Sequence, residues 1–133
     1  MSAVLDASVL VAALSDSGAE GAWAEEIVGA GGLVAPHLAL VEATNILRRL
    51  ELVGKLGRLE AGAAARDLLM IELELVPFVP FAERVWELRS NVTSYDAWYV
   101  AVAEDLDLPL ATLDRPLAAA PGPRCRFLLP PTT

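Results

Sequence analysis

Apolar runs of only three or four residues, each alternating with a helical pattern, leave this chain little choice of architecture. Ala3-Val4-Leu5 ends at Asp6, and SVLVAAL then takes up helical spacing. Leu33-Val34-Ala35 precedes Pro36 and a stretch from Leu38 to Leu50 with apolar residues at intervals of three and four. Leu73 to Val76 is followed by a helical pattern from Phe81 to Leu88, and Leu110-Ala111-Thr112 follows another from Tyr95 to Leu106. Short apolar runs of this kind are strands, and strands that alternate with helices join a parallel sheet covered on both faces. Further helices are expected from Ser17 or Gly18 through Val28, closed by the GAGG of 29–32, and from Arg58 to Ile71, with a last strand from Cys125 to Leu129. The GAGG cluster is not a phosphate loop, because no Gly-Lys-Ser/Thr follows it. No repeat or linker divides residues 1–133, so one α/β domain is expected, with helices on both sides of a central parallel sheet.

Against this frame, four acids occupy costly positions. Asp6 stands in VLDAS, Glu42 in LVEATN, Asp96 in SYDAWYVA and Asp114 in LATLDRP, each beside or inside an apolar stretch. Carboxylates are seldom kept there unpaired, and a shared divalent cation is the simplest common partner. Ligand sites of open α/β sheets form beyond the carboxyl ends of the strands, and Asp6 and Asp114 each follow a strand. Glu42 lies one turn after Leu38 and one before Ile46, so it emerges from a mostly apolar stripe. Asp96 begins a helix with Tyr99, Val100 and Ala103 on the same side. Ser8, Asn45 and Thr112 are placed to orient the acids through neutral oxygen or amide groups.

Simpler roles compete for each acid. Asp6 and Asp114 could be N-caps, with Pro116 suited to a first helical turn. Asp96, three residues after Thr93, approaches a capping box. Glu42 sits where capping does not apply, and Arg49 at i+7 is an available ion-pair partner.

Composition narrows the function classes. Hydrophobic residues make up 55% of the chain and mean hydropathy is +0.47, more than an interior of this size needs, so part of the surplus is expected to cover a partner. Pro, His or an acid interrupts every long apolar stretch, which excludes a membrane-spanning segment. The start MSAVLDAS has no signal-peptide pattern, and a cytoplasmic address is expected. Cys125 is the single cysteine and His37 the single histidine, so a Cys–His nucleophile pair would have to be built from a tail thiol and a helix-start imidazole; both read as bystanders. Trp23 and Trp86 lie on helical apolar spacing and read as core or interface, while Trp98 is open to packing or to stacking on a base. The net charge of -8 opposes a nucleic-acid partner. That opposition weakens because Arg48, Arg49, Lys55 and Arg58 cluster within one short stretch, either a solvated helix end or a strip that holds phosphates.

DASVLV with Asp6, LVEATNILRR with Glu42 and Asn45, and SYDAWYVAVAEDLDLPLATLD with Asp96 and Asp114 together resemble the PIN-domain ribonucleases, most closely the VapC toxins of bacterial toxin–antitoxin pairs. The resemblance runs from residue 3 to about residue 119. Ser8 stands where many members carry Asn or Thr, and it keeps a hydroxyl. The resemblance implies a PIN-like three-layer α/β/α sandwich and a Mg²⁺ or Mn²⁺ site at Asp6, Glu42, Asp96 and Asp114. It further implies endonuclease action on RNA, a homodimer, and silencing by a small VapB-like antitoxin. Hard oxygen donors suit Mg²⁺, and hydrolysis assisted by such a cation needs no side-chain nucleophile. A receiver domain would need an acidic pair after the first strand, and a dehalogenase-type phosphatase an Asp in place of Ser8; neither is present. The remaining alternative is a catalytically inactive PIN-fold interaction domain.

Overall fold

A computed structural model describes residues 2–132. Five strands, β1 (Ala3–Leu5), β2 (Leu33–Pro36), β3 (Leu73–Val76), β4 (Leu110–Ala111) and β5 (Phe127–Leu128), form one sheet in the order β3-β2-β1-β4-β5. Every pairing is parallel, with Val4 opposite both Val34 and Leu110. The helices are α1 (Ala7–Ser15), α2 (Ala19–Ala30), α3 (Leu38–Leu52), α4 (Arg58–Leu68), α5 (Ala82–Glu87), α6 (Ser94–Leu106) and α7 (Arg115–Ala119). Helices α2, α3 and α4 each pack on α1, α3 packs on α4, and α5 packs on α6. With right-handed crossovers, β1-β2-β3 places its connections on one face and β3-β4 places α5 and α6 on the other.

Burial explains why α1 is apolar nearly all round. Ala7, Val9, Leu10, Val11 and Ala12 are all buried, because α2, α3 and α4 each pack on this helix. Gly21 makes the α1–α2 contact possible: a Cβ there would stand 1.8 Å from the Asp16 carbonyl oxygen, which no side chain can occupy. Gly31 closes α2 at φ 75°, the left-handed turn expected of the GAGG segment.

Differences from the sequence reading lie at element ends and in two short added elements. The expected 58–71 helix stops at Leu68 in a turn, and a 3-10 turn at Val79–Phe81 leads into α5. Strand β4 ends at Ala111, although the Thr112 amide still donates to the Leu128 carbonyl at 3.1 Å. The 125–129 strand shrinks to Phe127–Leu128. Helix α7 was legible only as the capping option for Asp114.

Between β1 and β4 the chain leaves the sheet toward opposite faces. A crevice opens at such a point of reversal, beyond the carboxyl ends of the strands.

Candidate active site

Asp6 follows β1 directly and caps α1, accepting from the Val9 amide at 3.3 Å. Only 7% of its surface is exposed. Ser8 Oγ donates to the same carboxylate oxygen, Oδ1, and Thr112 Oγ1 donates to the other, Oδ2. Each hydroxyl is itself held: Ser8 Oγ accepts from the Leu113 amide at 3.2 Å and Thr112 Oγ1 from the Asp114 amide at 3.0 Å. The turn after β1 is thereby stitched to the loop after β4. Burial raises the Asp6 pKa above the ordinary carboxylate value, and the Ser8, Thr112 and Val9 donors oppose that rise without cancelling it.

Asp114 caps α7, accepting from the Leu117 amide at 3.0 Å. Capping and the cleft are thus not exclusive for Asp6 or Asp114; each does both. Asp96 is different. Its helix is capped by Thr93, whose hydroxyl accepts from the Asp96 amide at 3.2 Å, and no reciprocal carboxylate bond completes a capping box. Its carboxylate is half-buried, and its pKa is raised by burial first and then by the charges of Asp114 and Asp6. Asp96 therefore feels the charges of two other acids across the strand ends.

Glu42 projects from α3 and finds a partner the sequence reading missed. Tyr99 Oη donates to Glu42 Oε1 at 2.6 Å, whereas Arg49, the ion-pair partner available on the same helix, makes no salt bridge to it among the described residues. Tyr99 is 1% exposed. Burial, followed by the Glu42 bond and charge, pushes its hydroxyl far above the ordinary tyrosine value, so it remains a donor. The available signal was a tyrosine on the buried face of α6, whose hydroxyl must have a partner.

Asp6, Ser8, Glu42, Asn45, Asp96 and Asp114 line one cleft of about 370 Å³, together with Tyr99 and Arg49. Thr112, fully buried, lies beneath it on Asp6. Of the basic stretch only Arg49 reaches this cleft; Arg48 lines a separate groove between α3 and α4, and all four basic side chains are exposed. His37 is exposed, and its amide donates to the Val76 carbonyl at 3.0 Å. Burial pushes the Cys125 thiol up to about 11. Trp23 packs against the core, and Trp98 packs edge-on against Phe78 at 5.3 Å. Trp86 is not core: it is 66% exposed, with Arg89 over its ring at 4.4 Å.

The donor set suits a hard divalent cation. Four carboxylates and an amide face the cleft, with no thiolate or imidazole, and none of the four acids has a cationic partner among the described residues. Among those residues no three His, Cys, Asp or Glu side chains draw close enough to enclose an ion unaided. That openness is compatible with Mg²⁺, which keeps several waters and uses few protein ligands. A larger hollow of about 820 Å³ lies at the opposite edge of the sheet, around Gly32, Leu33 and Leu73, with Glu72 and Glu74 as its only acids.

Comparison with known proteins agrees with this arrangement. Residues 3–123 match the PIN domain family. Ribonuclease VapC1 of Mycobacterium tuberculosis is 40% identical over 127 residues, covering 95% of this chain and 96% of that protein. The crystal structure of PAE2754 from Pyrobaculum aerophilum superposes with a TM-score of 0.71 at 28% identity, over 96% of this chain and 83% of the other. VapBC2 from Rickettsia felis, bound to a DNA fragment from the promoter, has a TM-score of 0.67 over 98% of this chain and 100% of that one, and at 15% identity it shares the fold. With an acid cleft at the strand ends of a parallel sheet and this likeness along almost its whole length, the chain belongs to the PIN-domain family, among the VapC ribonucleases.

Proposed function

We propose that this chain is the toxin of a toxin–antitoxin pair and a divalent-metal-dependent endoribonuclease, with Asp6, Glu42, Asp96 and Asp114 as its catalytic acids. The observation that carries the reading is the single cleft that all four acids line without a cationic partner among the described residues. Mg²⁺ or Mn²⁺ held by these acids supplies Lewis acidity to the phosphodiester and to the attacking water.

The chain's own residues do the positioning. Asp6 is held by three donors, two from the first turn of α1 and one from the loop after β4, so its carboxylate is fixed before substrate arrives. Glu42 Oε1 is engaged by Tyr99, which leaves Oε2 turned to the cleft as the oxygen that would hold the cation. Arg49, exposed on the rim, meets a phosphate of the RNA backbone, and Asn45 beside it offers an amide donor. Water adds its oxygen to phosphorus, and the 3′ oxygen of the preceding nucleotide leaves with a proton, so the product carries a 5′-phosphate. No side-chain nucleophile is needed: neither His37 nor Cys125 lines the cleft.

An inactive interaction domain is not favoured, since such a role would not require four carboxylates in one cleft. Exposed Leu59, Met70 and Val79 give the apolar surplus a use, as surface for a second copy of the chain or for a VapB-like antitoxin. No helix among the described residues is long and apolar enough to cross a membrane, and a cytoplasmic site of action accords with an RNA substrate. The test is RNA cleavage with Mg²⁺ or Mn²⁺, repeated after chelation and with Asp6→Asn and Asp96→Asn. Cleavage by the chelated protein or by either variant at the wild-type rate refutes the assignment.

A further inference from the structure

We infer that Tyr99 is a positioning residue for Glu42, its buried hydroxyl holding the carboxylate at the cleft and so setting the affinity of the site for a divalent cation. The inference rests on the proposed role of Glu42 as a ligand. Its basis is the 2.6 Å bond between residues 57 apart in sequence, which ties α3, in one helix layer, to α6, in the other. Both ends of the bond bear on the site. Tyr99 lies one turn beyond Asp96 on α6, so Glu42 and Asp96 become linked through a single rigid ring and a short piece of helix.

The two side chains differ in freedom. The Tyr99 ring belongs to the hydrophobic core and has no room to swing. Glu42 is half-exposed on a long flexible stem and would otherwise spread among rotamers in solvent. Partners that orient a ligand in this way are worth roughly 10- to 100-fold in metal affinity. A phenylalanine would fill the same core space but leave Glu42 Oε1 without its donor. Tyr99 touches neither substrate nor reacting atoms in this scheme, so it acts only through Glu42.

The test is calorimetric titration of the whole chain with Mn²⁺ alone, without RNA, for wild type, Tyr99→Phe, Glu42→Gln and the double variant. Tyr99→Phe is expected to weaken Mn²⁺ binding about 10-fold, while the metal-free melting temperature falls by about 2–5 °C, as the loss of one hydrogen bond allows. In the Glu42→Gln background the same change should have little further effect on affinity, because the group it positions has already lost its charge. Wild-type Mn²⁺ affinity in Tyr99→Phe beside a weakened Glu42→Gln overturns the role of Tyr99 alone. Wild-type affinity in Glu42→Gln overturns the ligand assignment, and the Tyr99 inference with it. Equal weakening by Tyr99→Phe in both backgrounds shows an effect that does not pass through Glu42 and likewise overturns the inference.

Discussion

Asp96→Asn should make the metal-free protein no less stable while removing most of its response to Mg²⁺. Burial and the charges of Asp114 and Asp6 hold the Asp96 carboxyl above its ordinary pKa, so the ionised form is disfavoured at neutral pH, and a neutral amide of the same size relieves that cost. The α6 cap is untouched, since Thr93 accepts from the backbone amide of residue 96 and not from its side chain. A ligand that binds only the folded state at ten times its dissociation constant stabilises by about 1.4 kcal/mol. At about 2.1 cal/mol/K per residue the unfolding entropy of 133 residues is about 0.28 kcal/mol/K, so wild type should gain about 5 °C. If losing one charged ligand weakens binding about 10-fold, the variant at the same Mg²⁺ concentration gains only about 0.4 kcal/mol, or about 1.5 °C. Differential scanning calorimetry at pH 7, with chelator and then with Mg²⁺, measures all four melting temperatures. A full 5 °C response in the variant, or a metal-free melting temperature several degrees below wild type, would show that Asp96 serves helix α6 and not a cation.

Stability of the metal-free protein should rise as pH falls from 7 toward the raised pKa values of Asp6 and Asp96, because a carboxyl with a raised folded pKa contributes stability at low pH that is lost as pH climbs through that value. Glu104 works in the opposite sense: burial pushes its pKa up, but Arg84 and the Arg124 amide outweigh burial and hold it down, so its contribution is present above the ordinary carboxylate value and is lost on further acidification. Denaturant midpoints across pH should therefore pass through a maximum on the acid side of neutral, and saturating Mg²⁺ should abolish the rise; midpoints that only fall from pH 7 downward would contradict the shifts. Arg84→Met should cost about 1–3 kcal/mol, because it breaks the paired bonds to Glu104 at 2.7 and 3.1 Å and the bond to the Gly122 carbonyl at 2.9 Å that fasten the C-terminal segment. Its Mg²⁺-induced shift in melting temperature should stay at the wild-type value. Arg49→Ala should raise KM for RNA with kcat nearly unchanged and lower the slope of log KM against log salt by about one, as expected of a single phosphate contact; an unchanged salt slope removes Arg49 from the RNA path.

The architecture and the edge on which the candidate site lies were legible in the sequence because they depend on neighbours close along the chain. Runs such as Ala3–Leu5 and Leu33–Ala35 are too short and too apolar for anything but buried strands, and a parallel sheet then places Asp6 and Asp114 on one edge whatever the details of packing. Local chemistry also disclosed the caps of α1 and α7, which are made within three residues of Asp6 and Asp114. What pairs with Glu42 was not legible. Arg49 and Tyr99 were both compatible with the helical spacing, and the choice between them depends on how far apart the two helix layers stand across the strand ends. Thr112 shows a related limit: the sequence marks it as a hydroxyl near the acids, but only the β1–β4 pairing decides that it serves Asp6, a carboxylate 106 residues away. Periodicity decides which face a residue occupies, but only the packing of the layers decides which residue stands opposite, because that distance is a property of the assembled core and of no single segment.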